Sequence, residues 1–170
     1  MRTDPHLHYL DNAATTLVDP AVADAVNAAM RSCWANPSSL YEPAILAENK
    51  LSAARGKIAK TLGCAKDEIY FTACGSESNN LAILGAAIPR QSWGNKIVTT
   101  GFEHPSVQRP IRALKDRGFT VVEIPPEPDG SLDVQKLIDA VDKNTVLAAC
   151  MAVNNETGAV QDVARLAAGV

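Results

Sequence analysis

Apolar residues recur at helical spacing through the first third of the chain. Val22, Val26, Ala29 and Met30 form one stripe, opened by Asp19 as a cap and Pro20 as a first-turn proline, which predicts a helix ending near Cys33. A loop rich in Asn, Pro and Ser follows at residues 35–39. A second stripe, Ile45, Leu46, Leu51, Ala54, Ile58 and Leu62, predicts a longer helix closed by Gly63. Beyond Gly63 the rhythm changes to short β-branched or apolar runs: EIYFT (68–72), KIVTT (96–100), FTVVEI (119–124) and TVLAACMAV (145–153). These read as strands. The segments between them, residues 77–88, 105–117 and 133–141, read as helices. Alternation of the two predicts an α/β fold, a mostly parallel sheet covered by helices on both faces. A last helix opens at Asp162 and the sequence stops at Val170 with no further strand to cover it. A fold interrupted partway is the expectation.

Composition narrows the class. With 46% hydrophobic residues over 170 positions, the chain can bury one core, which excludes a disordered segment. There is no internal repeat, no low-complexity tract and no interdomain linker; IPPEPDG at 124–130 is short enough for a surface connection. No apolar run reaches the roughly 18 residues that a membrane span requires, and residues 1–8 carry no targeting pattern. The cytosol is the expected address, with no membrane partner. Sixteen Lys and Arg against nineteen Asp and Glu give a net charge of -3 with no basic stripe, so nucleic acid is not an expected partner. Cys33, Cys64, Cys74 and Cys150 are spread without a Cys-x-x-Cys pair or a nearby histidine, the pattern of reduced thiols and not of zinc ligands or disulfides.

Three strand-end segments carry candidate chemistry. In FTACGSESNN a strand gives way to a small-residue turn and a helix, so the backbone N–H groups of Gly75, Ser76 and Glu77, with the Ser76 hydroxyl, are placed to hold a phosphate. Ser76 as a plain N-cap is the alternative. In GFEHPSV, His104 follows directly on KIVTT, at the carboxyl edge where open α/β sheets place ligands. An imidazole there can stack on a flat cofactor or shuttle a proton; a solvated or locally bonded loop histidine is the alternative. In VNNETG, the adjacent amides Asn154 and Asn155 with Glu156 suit a carboxylate or phenolic oxygen, or else form an Asx-turn into Gly158. Convergence of the three on one sheet edge says more than each alone. DNAATT (11–16) and WANPSSL (34–40) have the composition of turns, and His6 and His8 stand in a polar tail.

Read in order, YLDNAATT, ANPSS, GSESNN, EHPSV and VNNETGAVQ resemble the signature of class V aminotransferase-fold enzymes, most closely the cysteine desulfurases, over residues 9–162. The resemblance implies the amino-terminal part of the large domain of a fold-type I enzyme that uses pyridoxal 5'-phosphate. The rest of that domain and the small domain would follow. It implies that Gly75 and Ser76 bind the cofactor phosphate, that His104 stacks on its ring and helps proton transfer, that Asn155 lies near its phenolic oxygen and the substrate carboxylate, and that Asn36 lies near that carboxylate. The family reaction removes sulfur from L-cysteine, leaving alanine and an enzyme persulfide that passes to an acceptor protein, for iron-sulfur assembly or tRNA modification. Family members act as homodimers. Selenocysteine lyases share the phosphate turn and the histidine, and a short non-catalytic interaction module is a further reading.

Two departures from the family pattern stand out. Cys74 occupies a position usually held by glycine, which leads to the expectation of a distorted phosphate turn. No lysine, the last being Lys143, stands in a Ser-x-His-Lys context, so a covalent lysine link to the cofactor is not expected within these residues. No cysteine lies in the sulfur-accepting loop either, and Cys33 or Cys74 has only its thiol to recommend it as a substitute. An isolated chain with open strand edges and apolar helix faces is expected to be oligomeric or to need a partner.

Overall fold

The computed structural model describes residues 6–170, so the first five residues of the segment read for targeting signals lie outside it. The chain divides into two compact units, Met1–Phe71 and Thr72–Val170.

The first unit is helical. Helix α1 spans Pro20–Ser32; Asp19 Oδ1 accepts from the Ala21 N–H at 2.9 Å, and the Cys33 N–H closes on the Ala29 carbonyl, as the cap and the proline predict. Helix α2 spans Glu42–Leu62 and ends at Gly63 with φ 69°, a left-handed residue that only glycine adopts without strain. A 3-10 turn, Lys66–Glu68, follows, with the Glu68 carboxylate accepting from the Ala65 N–H at 2.6 Å. The expected strand at 68–72 does not form. A strand exists only through a neighbour that takes up its N–H and C=O groups, and no described strand pairs here. The Ile69 carbonyl instead accepts from Arg55 Nε at 3.1 Å, and the Arg55 guanidinium stands over the Phe71 ring.

The second unit is the α/β body. Strands β1 (Lys96–Thr100), β2 (Thr120–Ile124) and β3 (Thr145–Ala149) form a parallel sheet in the order β2-β1-β3. Helices α3 (Gly75–Ala87), α4 (Pro105–Asp116), α5 (Val134–Ala140) and α6 (Val163–Gly169) alternate with the strands. The pleat of β1 sends successive side chains to opposite faces. Ile97 packs with Ile83 and Ala87 of α3, Ile111 and Leu114 of α4, and Phe119. Val98 packs on the other face with Ile124, Leu132, Val134 and Leu137 of α5, and Leu166 of α6. Helices therefore cover both faces, as the alternation predicts. The expected strand at 145–153 is shorter, because the chain leaves the sheet after Ala149 and Val153 makes an isolated antiparallel bridge to Val160. No helix among the described residues is long and apolar enough to cross a membrane.

Candidate functional site

Three segments meet at the carboxyl ends of β1 and β3, and hydrogen bonds join them. The first is the start of α3. Its N-cap is Cys74, whose side chain makes no capping bond, and Ser76 is the second helical residue, so the capping alternative for Ser76 does not hold. Cys74 has φ -163° and ψ 169°, ordinary extended backbone, and the distortion expected from replacing a glycine is absent. The first helical turn cannot bond its own N–H groups within the helix. Those of Gly75, Ser76 and Glu77 meet no acceptor among the described residues, the Ser76 hydroxyl is exposed, and a Cβ at Gly75 would meet nothing within 4 Å. The Glu77 carboxylate turns back to accept from the Ala73 N–H at 2.7 Å, and the hydroxyls of Thr72 and Ser78 lie 2.5 Å apart. The result is an open, donor-rich helix start backed by its dipole.

The second segment joins β1 to α4. His104 is the N-cap of α4: its Nδ1 accepts from the Ser106 N–H at 3.1 Å and lies 2.8 Å from the Ser106 hydroxyl oxygen. The ring is thus exposed and locally bonded. Asn79 of α3 donates from Nδ2 to Ser106 Oγ at 2.8 Å, which ties α3 to the histidine's helix.

The third segment is residues 150–161 after β3. Asn154 is buried. Its Oδ1 accepts from the N–H groups of Glu156 and Thr157, both at 2.9 Å, and its Nδ2 donates to the Phe102 carbonyl at 3.2 Å. The Asx-turn into Gly158, φ 74°, is therefore present and is built by Asn154. Asn155 is left exposed, with no side-chain hydrogen bond among the described residues. Glu103 adds a second tie that sequence reasoning missed. At 5% exposure its Oε1 accepts from the Thr100 hydroxyl and the Met151 N–H, both at 2.7 Å. A buried carboxylate needs such donors, and an acidic residue three positions after the end of β1 was the available signal. Burial, with the Glu103 charge adding to it, pushes the nearby Cys150 thiol up to about 11.

The site residues expected from sequence thus divide. Gly75, Ser76, His104 and Asn155 all belong to the second unit, on segments held together by the Asn79–Ser106, Glu103–Met151 and Asn154–Phe102 bonds. Asn36 belongs to the first unit, where it is exposed and its Oδ1 accepts from the Ser38 N–H at 3.0 Å. Ser106, Asn79 and Glu103 were not foreseen.

Comparison with known proteins gives a consistent picture. The family model Aminotransferase class-V matches residues 8–170. A NifS/IcsS protein homolog of Lactobacillus delbrueckii subsp. bulgaricus is 39% identical over 155 residues, 91% of this chain and 40% of the relative. A protein named cysteine desulfurase IscS from Dictyoglomus turgidum is 37% identical over 158 residues, 93% of this chain and 40% of the relative. Among solved structures, a NifS-like protein superposes with a TM-score of 0.90 at 35% identity, over 95% of this chain and 44% of that one. SspA, solved in complex with cysteine, gives 0.89 at 36% identity, over 96% and 47%. The chain spans about two fifths of the length of these curated relatives.

Proposed function

The chain belongs to the class-V aminotransferase family, and on that footing we propose that it forms the cofactor-phosphate and ring-binding part of a pyridoxal-phosphate-dependent cysteine desulfurase. The observation that carries this reading is the joining of three polar segments at one sheet edge, through Asn79–Ser106, Glu103–Met151 and Asn154–Phe102. The free N–H groups and hydroxyl at the start of α3 fit a phosphate dianion by charge and by donor count. Pyridoxal phosphate, when bound, supplies the electron sink for breaking bonds at the substrate's α- and β-carbons. The chain's own residues supply position. Gly75 and Ser76 hold the phosphate, His104 covers the ring face, and Asn155 offers its free amide to the phenolic oxygen and the substrate carboxylate.

L-cysteine as substrate, a sulfur-acceptor protein and a homodimer are parts of this proposal for the longer protein that the relatives represent. The 170 residues would then be part of its large domain. The four cysteines are free thiols, which suits the reducing cytosol.

Titration of the full chain with pyridoxal phosphate, followed by absorbance and by fluorescence of its two tryptophans, tests the reading. Saturable binding is expected, weakened about tenfold by Ser76→Ala through loss of one hydrogen bond to a charged group. Binding that does not saturate, or that Ser76→Ala leaves unchanged, overturns it.

A further inference from the structure

Which nitrogen of a histidine carries the proton is decided by what the other nitrogen bonds. At His104 the neighbours leave one answer. The Ser106 backbone N–H lies 3.1 Å from Nδ1, and a backbone N–H can only donate, so Nδ1 must present its lone pair. The Ser106 hydroxyl, 2.8 Å from the same nitrogen, could donate or accept on its own account. The lone pair that the backbone N–H fixes on Nδ1 makes the hydroxyl the donor to it. Asn79 Nδ2 donates to Ser106 Oγ at 2.8 Å, occupying one of its lone pairs and leaving its hydrogen for Nδ1. The two bonds to Nδ1 therefore agree, and Ser106, at 9% exposure, is shielded from competing water.

We propose that Asn79 and Ser106 are positioning residues that hold the neutral His104 ring as the Nε2–H tautomer. The ring then meets the ligand of this site as a hydrogen-bond donor with no lone pair to offer. The inference rests on the functional reading above for what that ligand is, but not for the tautomer itself. Its consequence concerns the order of events. Nε2, already protonated, cannot abstract a proton, so the first act of His104 is a hydrogen bond from Nε2 to an oxygen or sulfur acceptor of the bound ligand. Asn79 stands on the helix whose first turn carries the phosphate donors. One helix thereby supplies the phosphate site and, through Ser106, the direction of the histidine's proton.

Long-range proton–nitrogen correlation spectra of the full chain, labelled with nitrogen-15, read the tautomer directly, with the His104 signals assigned by their loss in His104→Gln. At a pH where the ring is neutral, a protonated Nε2 and an unprotonated Nδ1 are expected as the dominant form. Asn79→Asp places an acceptor where a donor stood and draws the Ser106 hydrogen away, so the tautomer ratio should fall about fivefold, the worth of one ordinary hydrogen bond. Ser106→Ala should act in the same direction, and Ser106→Thr, which keeps the hydroxyl, should restore the wild-type spectrum. A dominant Nδ1–H form in the wild type overturns the proposal even if no variant folds. So does a ratio that neither Asn79→Asp nor Ser106→Ala changes. Because the spectra are taken without ligand, failure to bind pyridoxal phosphate would remove the functional reading and leave the tautomer standing, whereas binding without the tautomer would remove only the latter.

Discussion

Helices α1 and α4 carry the same kind of apolar stripe, and only one of them is buried. In α4, Ile111 and Leu114 are 3% and 0% exposed, packed on Ile97 and Phe119. In α1 the predicted stripe of Val22, Val26 and Met30 is more than half exposed, and no residue of the helix is buried. The contrast extends to the whole units. Among the described residues, the buried apolar ones of the first are alanines, Ala35, Ala44, Ala47 and Ala59, while the second buries isoleucines, leucines and valines on both faces of a sheet. Periodicity tells which face of a helix is built for burial; it does not tell whether the covering partner is among the same residues. Shape and stability in this chain are therefore concentrated in the second unit.

Truncating each kind of stripe gives the largest expected difference. Leu137→Ala or Leu114→Ala removes a fully buried side chain and should cost about 2–5 kcal/mol in denaturant unfolding, by lost transfer energy and the cavity left behind. Val26→Ala, on the exposed stripe, should stay within about 0.5 kcal/mol. A large loss at Val26 would show that its face is covered in solution and would break the contrast.

The two asparagine turns repeat the comparison with a smaller effect. Asn154 satisfies two backbone N–H groups and a carbonyl from a buried position, whereas Asn36 accepts one N–H in the open. Asn154→Ala should cost about 1–3 kcal/mol, the penalty for buried groups left without partners, and should raise amide exchange over residues 154–158. Asn36→Ala should cost well under about 1 kcal/mol, since water replaces the lost bond. Equal losses at the two positions would mean that Asn36 is enclosed in the protein as it exists in solution.

How much of this was legible beforehand follows the same line. Local signals succeeded: Asp19 and Pro20 opened α1, Gly63 closed α2, and three of four β-branched runs became strands. The run at 68–72 failed because strand formation depends on a partner, which composition does not reveal. The donor-bearing start of α3 was legible because free N–H groups belong to any helix start, a local feature. The support behind it was not. Asn79 and Ser106 are 27 residues apart, and Glu103 and Met151 are 48 apart, so only folding brings them together. Cys74 was misjudged for the opposite reason: a glycine elsewhere in the family does not prove that positive φ is needed here, and the observed φ of -163° needs none.

The smallest effect concerns reactivity, and the thiols report it from each unit. In the first, the Lys50 ammonium and then the Ser32 hydroxyl hold the Cys33 thiol below its usual range, at a partly exposed position beside the end of α1. In the second, burial and the Glu103 charge push Cys150 up to about 11. Thiolate, not thiol, reacts with alkylating agents, and its fraction falls tenfold for each unit by which pKa exceeds pH. At pH 7, Cys150 should hold on the order of a hundredfold less thiolate than an unperturbed cysteine. Timed iodoacetamide labelling with peptide mass spectrometry should therefore modify Cys33 well before Cys150. Raising pH through the Cys33 range first increases labelling of Cys33, and the gap narrows only as pH approaches the Cys150 value. Lys50→Gln removes the ammonium and should slow Cys33 while leaving Cys150 unchanged. Equal labelling of the two thiols at pH 7 would mean that the loop after β3 opens to solvent faster than the reagent reacts, placing part of the second unit in the same exposed class as the first.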